Sequence, residues 1–338
     1  MLRRARARRL TPTAPMMNSS AKIGAAACLL AALATAPMAA APTTTTAPDA
    51  VTTLRNEADT RTLEAILNDQ TALLDALQSD PNTRRLPEAE KERQVLDLTQ
   101  RYEALLERRP DDAAVMILYG KFLRLVDARA QANQWFTKAD ARLPDMPVIK
   151  HQLGVYAAEE GNYVRALSLL EAATRLEPKT AVYHYHFGEF LATYQKHLVS
   201  ERLLSRTTCD AKMQAAFARA AELNPAEAGY RWRHAESFFD CESPDWRRAL
   251  AAWDALAAAT QKPLEREVLS LYRARVLLEL GQRDEAARLV EASKTPQLET
   301  TRAGLRKLLR PTAPIATAPI VPAPPTAPTP TAPAAVGK

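Results

Sequence analysis

The sequence predicts an all-α fold, a stack of antiparallel helix pairs, and three observations carry that prediction. Glycine is scarce, nine in 338 residues, and alanine is abundant. Alanine loses no side-chain entropy in a helix, whereas a glycine costs about 1 kcal/mol there. A pattern of large and small residues recurs every 34 positions. No stretch shows the strict apolar–polar alternation of a half-buried strand.

The repeat is clearest from Ala113 onward. Tyr119-Gly120 and Leu123 fall in a first helix, Ala132, Phe136 and Ala139 in a second, and Pro144 closes the unit. Thirty-four residues later Leu153-Gly154, Ala157, Gly161, Ala166, Leu170, Ala173 and Pro178 occupy the matching places, and Phe187-Gly188 and Leu191 open a third unit. The pattern has a packing reason. Gly120, Gly154 and Gly188 admit a close neighbour, Phe136 and Leu170 fill the space between pairs, and the alanines seat each second helix on its own first helix. A proline after the second helix cannot continue the hydrogen-bond ladder.

These residues resemble the tetratricopeptide repeat: large then small in helix A, small-x-x-x-large-x-x-small in helix B, then proline. The resemblance implies a right-handed superhelical stack of about five to six pairs plus a capping helix. It covers about 51–309, with 51–110 as a degenerate first pair, then units 113–146, 147–180, 181–227, 228–265 and 266–298, and a cap at 299–309. Stacks of this kind need a polar cap over the last apolar face. The third unit carries 13 extra residues within 194–210, where YQKHLVSERLLSR reads as an extension of helix A, followed by a second helix over 211–225.

The flanks read differently. Ile23 to Ala36 is apolar and uncharged, preceded by Lys22 and followed by small residues, the layout of a secretory signal peptide over 1–41. At about 14 residues it is too short to span a bilayer. Residues 42–50 read as a flexible leader, and 310–338, rich in Pro, Ala and Thr, as a disordered or semi-rigid tail. The leader also explains the basic pI near 9.2. Six of the 45 Lys and Arg lie in residues 1–41, which leaves 39 basic against 39 acidic residues beyond them. Without a basic surplus there is no stripe to neutralise nucleic-acid phosphates. No integral membrane span is expected in the repeat region either.

No catalytic motif is present: no Gly-rich phosphate loop, no HExxH, no Gly-x-Ser-x-Gly and no paired CxxC. His184 and His186 are two residues apart, so on a helix they point roughly 200° away from each other and cannot chelate one metal. The expectation is a non-enzyme without metal or cofactor. Cys209 and Cys241, the cysteines outside the leader, read as lying in the A-to-B turns of adjacent units. In an oxidising compartment they could form a disulfide. The alternative is two thiols about 10 Å apart, too far to bridge without help from the insertion.

The resemblance implies that the A helices line a concave groove through repeat positions 2, 5, 9, 12 and 13. Carried onto this sequence, the groove comprises Ile117, Lys121, Arg124, His151, Tyr185, Glu189, Trp232, Glu236 and Arg275, with Leu271 at position 5 of the last unit. Its middle is a ladder of His151, Tyr185 and Trp232 beside Glu189 and Glu236; the competing reading has Tyr185 and Trp232 packed sideways on neighbouring helices. The implied function is a non-catalytic scaffold of the periplasm or cell envelope that binds an extended protein or peptide segment with apolar or aromatic anchors and basic residues. The alternative is an accessory subunit of an envelope secretion, polysaccharide-export or cytochrome-maturation complex. Self-association is left open.

Overall fold

The computed structural model describes residues 50–78 and 86–310. The signal-peptide reading and the tail beyond residue 310 lie outside them, as does the leader apart from its last residue.

Among the described residues there are thirteen α-helices, two short 3-10 turns and no strand. The helices are α1 (Ala50–Gln78), α2 (Glu88–Arg108), α3 (Ala113–Leu125), α4 (Arg129–Arg142), α5 (Pro147–Glu159), α6 (Tyr163–Leu176), α7 (Ala181–Ser200), α8 (Arg206–Leu223), α9 (Ala228–Ser237), α10 (Trp246–Ala259), α11 (Pro263–Glu279), α12 (Arg283–Ala292) and α13 (Glu299–Leu309). They pack as six successive pairs, each pair against the next, with α13 laid across α11 and α12. This is the all-α tetratricopeptide-type stack that the repeat predicted.

Local chemistry sets the helix ends. Asp112, Asn162, Ser205 and Asp245 each accept a backbone N–H in the first turn of α3, α6, α8 and α10, supplying partners for donors that a helix start leaves bare. In the A-to-B turns of the 113–146 and 147–180 units, Asp127 (φ 65°) and Gly161 (φ 77°) occupy the same left-handed position, and Gly281 (φ 77°) does so in the last unit. Glycine and aspartate enter that region at less cost than other residues.

The glycines of helix A do what the repeat predicted. A Cβ on Gly120 would lie 3.0 Å from the Phe136 ring, on Gly154 2.8 Å from Leu170, and on Gly188 2.7 Å from Phe217. All three partners are buried, as are Ala132, Ala139, Ala166, Ala173 and Ala220. At the last pair, the Glu267 carboxylate accepts bonds from the Thr295 and Lys294 N–H groups and the Ser293 and Thr295 hydroxyls. Those donors, the Thr295 N–H foremost, pull its carboxyl down to about 2 and fasten the connection into α13.

The third unit differs from expectation in one respect. Helix A does lengthen, to 20 residues in α7. Helix B also starts early, at Arg206 under the Ser205 cap, so Cys209 lies within α8 and not in a turn. Cys209 and Cys241 are free thiols: Cys209 Sγ donates to the Leu191 carbonyl (3.7 Å) and Cys241 Sγ to that of Ser237 (3.5 Å). Burial, reinforced by the Asp210 charge, pushes both thiols up to about 11. The insertion is pinned to the next turn by Asp210 instead. Its carboxylate accepts from Gln195 (2.7 Å), Arg206 (2.8 Å) and the Glu242 N–H (2.8 Å), and Arg206 also donates to the Asp240 carbonyl.

Candidate functional site

The A helices α3, α5, α7, α9 and α11 present the sequence-predicted groove residues in turn. Position 5 is buried at Ile117 (3% exposed), His151 (2%) and Leu271 (2%) and half-buried at Tyr185 and Trp232. Ile117 and His151 are therefore interior side chains and not groove lining. At His151 the cover comes from the sixth position of the next A helix: His186 stacks on it at 4.8 Å, with His151 Nε2 and His186 Nδ1 2.6 Å apart. Lys121 is buried as well, and desolvation draws its ammonium down to about 8. A buried position has no surface to offer a ligand, which removes Ile117, Lys121, His151 and Leu271 from the candidate face.

The remaining predicted residues are accessible and mostly held by partners. Arg124 pairs with Glu159 across two units (3.2 Å), and Arg275 pairs with Glu279 on its own helix (2.8 Å). Glu189 and Glu236 converge on a residue that the repeat positions did not single out, Arg233. Its Nε donates to Glu189 (2.6 Å), both terminal nitrogens donate to Asp240 (3.1 Å each), and Glu236 stands 3.9 Å away. The guanidinium also lies over the Phe217 ring at 4.5 Å. Three carboxylates thus share one cation, a local formal charge of −2. Burial pushes the Glu236 carboxyl up; Arg233 pulls the other way, and Asp240 and Glu189 reinforce the rise.

Beside this cluster lies a run of half-exposed aromatic rings. Tyr185 packs on Tyr230 (4.8 Å between centroids) and edge-on to Phe217 (5.9 Å). Trp232 meets Trp253 (5.1 Å, 89°) and Tyr272 (5.2 Å, 84°), and Trp253 stacks on Tyr272 (4.4 Å, 10°). Tyr185 and Trp232 therefore combine the two readings, each packed sideways on a neighbour and each still partly exposed. Tyr230, Arg233 and Tyr272 were missed because the inherited positions skip residues 3 and 6 of helix A. Their signal was compositional: Tyr230 and Arg233 lie beside Trp232 on α9, and Tyr272 follows Leu271 on α11.

Among the described residues no group of three His, Cys, Asp or Glu could hold a metal, and no helix is long and apolar enough to cross a membrane. Fold and site together define a helical-repeat stack of tetratricopeptide type with an acidic, aromatic strip on its A helices. No family model matches the sequence, and no curated protein matches it. Solved structures do. One is YrrB, described as a TPR protein with an unusual peptide-binding site (15% identity, TM-score 0.49, covering 61% of this chain and 97% of that one). Another is PilF of Pseudomonas aeruginosa (15%, TM-score 0.46, 72% and 99%), and a third is MamA from Desulfovibrio magneticus RS-1 (13%, TM-score 0.41, 58% and 96%). At these identities the likeness is one of fold.

Proposed function

We propose that this chain is an exported, non-catalytic scaffold of the periplasm or cell envelope that binds an extended protein or peptide segment along helices α7, α9 and α11. One observation carries the binding reading: the half-exposed Tyr185, Tyr230, Trp232 and Tyr272 adjoin a carboxylate cluster with a surplus of two negative charges. Aromatic side chains bury large area at small entropy cost and dominate binding hot spots. The uncompensated carboxylates add a preference for lysine or arginine in the ligand, and electrostatic complementarity of this kind selects partners. Export is supported by the three-part leader over residues 1–41.

A peptide array probed with the purified protein tests the binding half. Peptides pairing an aromatic or aliphatic anchor with a nearby Lys or Arg should be retained over acidic ones. Glu189→Lys should weaken the selected peptides at least tenfold, since it reverses one of the three charges. Indifference to peptide charge, together with an unchanged Glu189→Lys profile, would remove the strip as the ligand face. Fractionation of cells expressing the tagged full chain tests the export half, and retention in the cytoplasm would refute it.

A further inference from the structure

A second feature of the 228–265 unit is independent of that strip. A cavity of about 360 Å³ opens between α9 and α10, lined by Arg231, His234 and Phe238 from the first element and its 3-10 extension and by Arg248, Ala252 and Ala255 from the second. Arg231 and His234 occupy the fourth and seventh positions of helix A, not the groove positions. Small molecules are held by cavities of roughly 300–1,000 Å³ with an apolar lining and a few convergent polar groups.

The repeat explains why the space exists. In the 113–146 unit the corresponding residues are Tyr119 on helix A and Trp135 on helix B, whose rings pack 5.5 Å apart. In the 228–265 unit the same two places hold His234 and Ala252. An indole is replaced by a methyl, and the volume it filled is left open.

The repeat also explains the charge. In the 147–180 unit the fourth position is Lys150, which meets Asp140 of the preceding helix B at 2.7 Å. In the 228–265 unit the fourth position is Arg231, and the residue matching Asp140 is Ala221. Among the described residues Arg231 and Arg248 have no carboxylate partner, and Arg231 Nε and His234 Nε2 are shut off from solvent without a hydrogen-bond partner. Buried polar groups in that condition cost about 1–3 kcal/mol each. Glu222 faces His234 from α8, but burial and the Arg248 charge outweigh it and hold the imidazole below its ordinary range.

We propose that this cavity binds a small amphiphilic carboxylate, its anionic end paired with Arg231 and Arg248 beside His234 and its apolar end seated against Phe238, Ala252 and Ala255. Guanidinium groups suit a carboxylate because they can bond it in a bidentate fashion.

The test titrates the full chain by calorimetry with hexanoate, hexanamide and inorganic phosphate. Hexanoate should saturate at one site per chain, with hexanamide and phosphate each at least tenfold weaker. Arg248→Ala, a substitution at an exposed position, should weaken hexanoate at least tenfold. Ala255→Phe, also at an exposed position, should abolish binding by filling the space, and circular dichroism confirms that both variants fold. Absence of saturable hexanoate binding, equal binding of hexanamide, an unaffected Arg248→Ala variant, or phosphate binding as tightly as hexanoate would each overturn the assignment.

Discussion

Replacing Gly188 with valine is expected to lower the unfolding free energy by about 3 kcal/mol or more, at the upper end of overpacking effects. A Cβ there would stand 2.7 Å from Phe217 Cε1, and Phe217 is fully buried, so the ring has no solvent side to retreat to. Its face is already engaged by Arg233 and its edge by Tyr185. The helices α7 and α8 would have to separate, and the strip built on α7 would move with them. Two comparisons isolate the cause. Gly281→Ala meets no atom within 4 Å and disturbs only a residue at φ 77°, so it should cost about 1 kcal/mol. Gly188→Ala combined with Phe217→Leu should be less damaging than the separate effects sum to. Urea denaturation of the set measures all of this, and a Gly188→Val variant no weaker than Gly281→Ala would contradict the close-approach account.

Stability should also fall as pH drops from about 6.5 to 4. His151, buried, and His186, half-buried, form a stacked pair whose 2.6 Å contact requires one ring nitrogen to donate and the other to accept. Burial, then the neighbouring charges of His186, Arg124 and Lys121, hold His151 well below its ordinary value. Burial and Arg124 hold His186 down to about 4. The folded state therefore refuses protons that the unfolded chain accepts from about pH 6.5 downward. The stability present above that pH is lost through the window and is exhausted below the folded value. For His186 alone the loss is on the order of 3 kcal/mol. Carboxylates with lowered values such as Glu267 act in a different window, below about 4.5. Urea midpoints at pH 7.5, 5.5 and 4.5 separate the two groups. His186→Phe should keep the stacking and flatten the upper window; an equally steep dependence in that variant would assign the effect elsewhere.

The two predictions draw on features of unequal legibility. The packing role of Gly188 could be read from the sequence, because a 34-residue period of large-small pairs has one economical explanation, close helix approach. The histidine pair could not. His184 and His186 attract attention as neighbours on one helix, yet the contact is between His151 and His186, one unit apart. Repeat periodicity reports what each unit does to itself. It is less informative about which side chain of the next unit covers a given position, and that cover decides between groove and interior. Ile117, Lys121 and His151 are interior for this reason, while Arg233 and Tyr272 stand at the sixth helix-A position, outside the inherited groove set. The cysteines failed differently. The start of helix α8 depends on the Ser205 cap, a local competition that an expected unit length hid. Glu189, Glu236, Tyr185 and Trp232 stay partly exposed because long or bulky side chains reach the surface even when their bases are covered.

The central claim is that the A-helix strip is where a partner is held, and site-specific photocrosslinking tests it most directly. A benzoylphenylalanine is placed at Glu236, whose side chain is 44% exposed within the carboxylate cluster, and in a separate chain at Val164, 61% exposed on a B helix. The partner is the best peptide from the array. Adducts from position 236, competed away by unlabelled peptide and absent from position 164, are the predicted result. Adducts from position 164 without any from position 236 would contradict it.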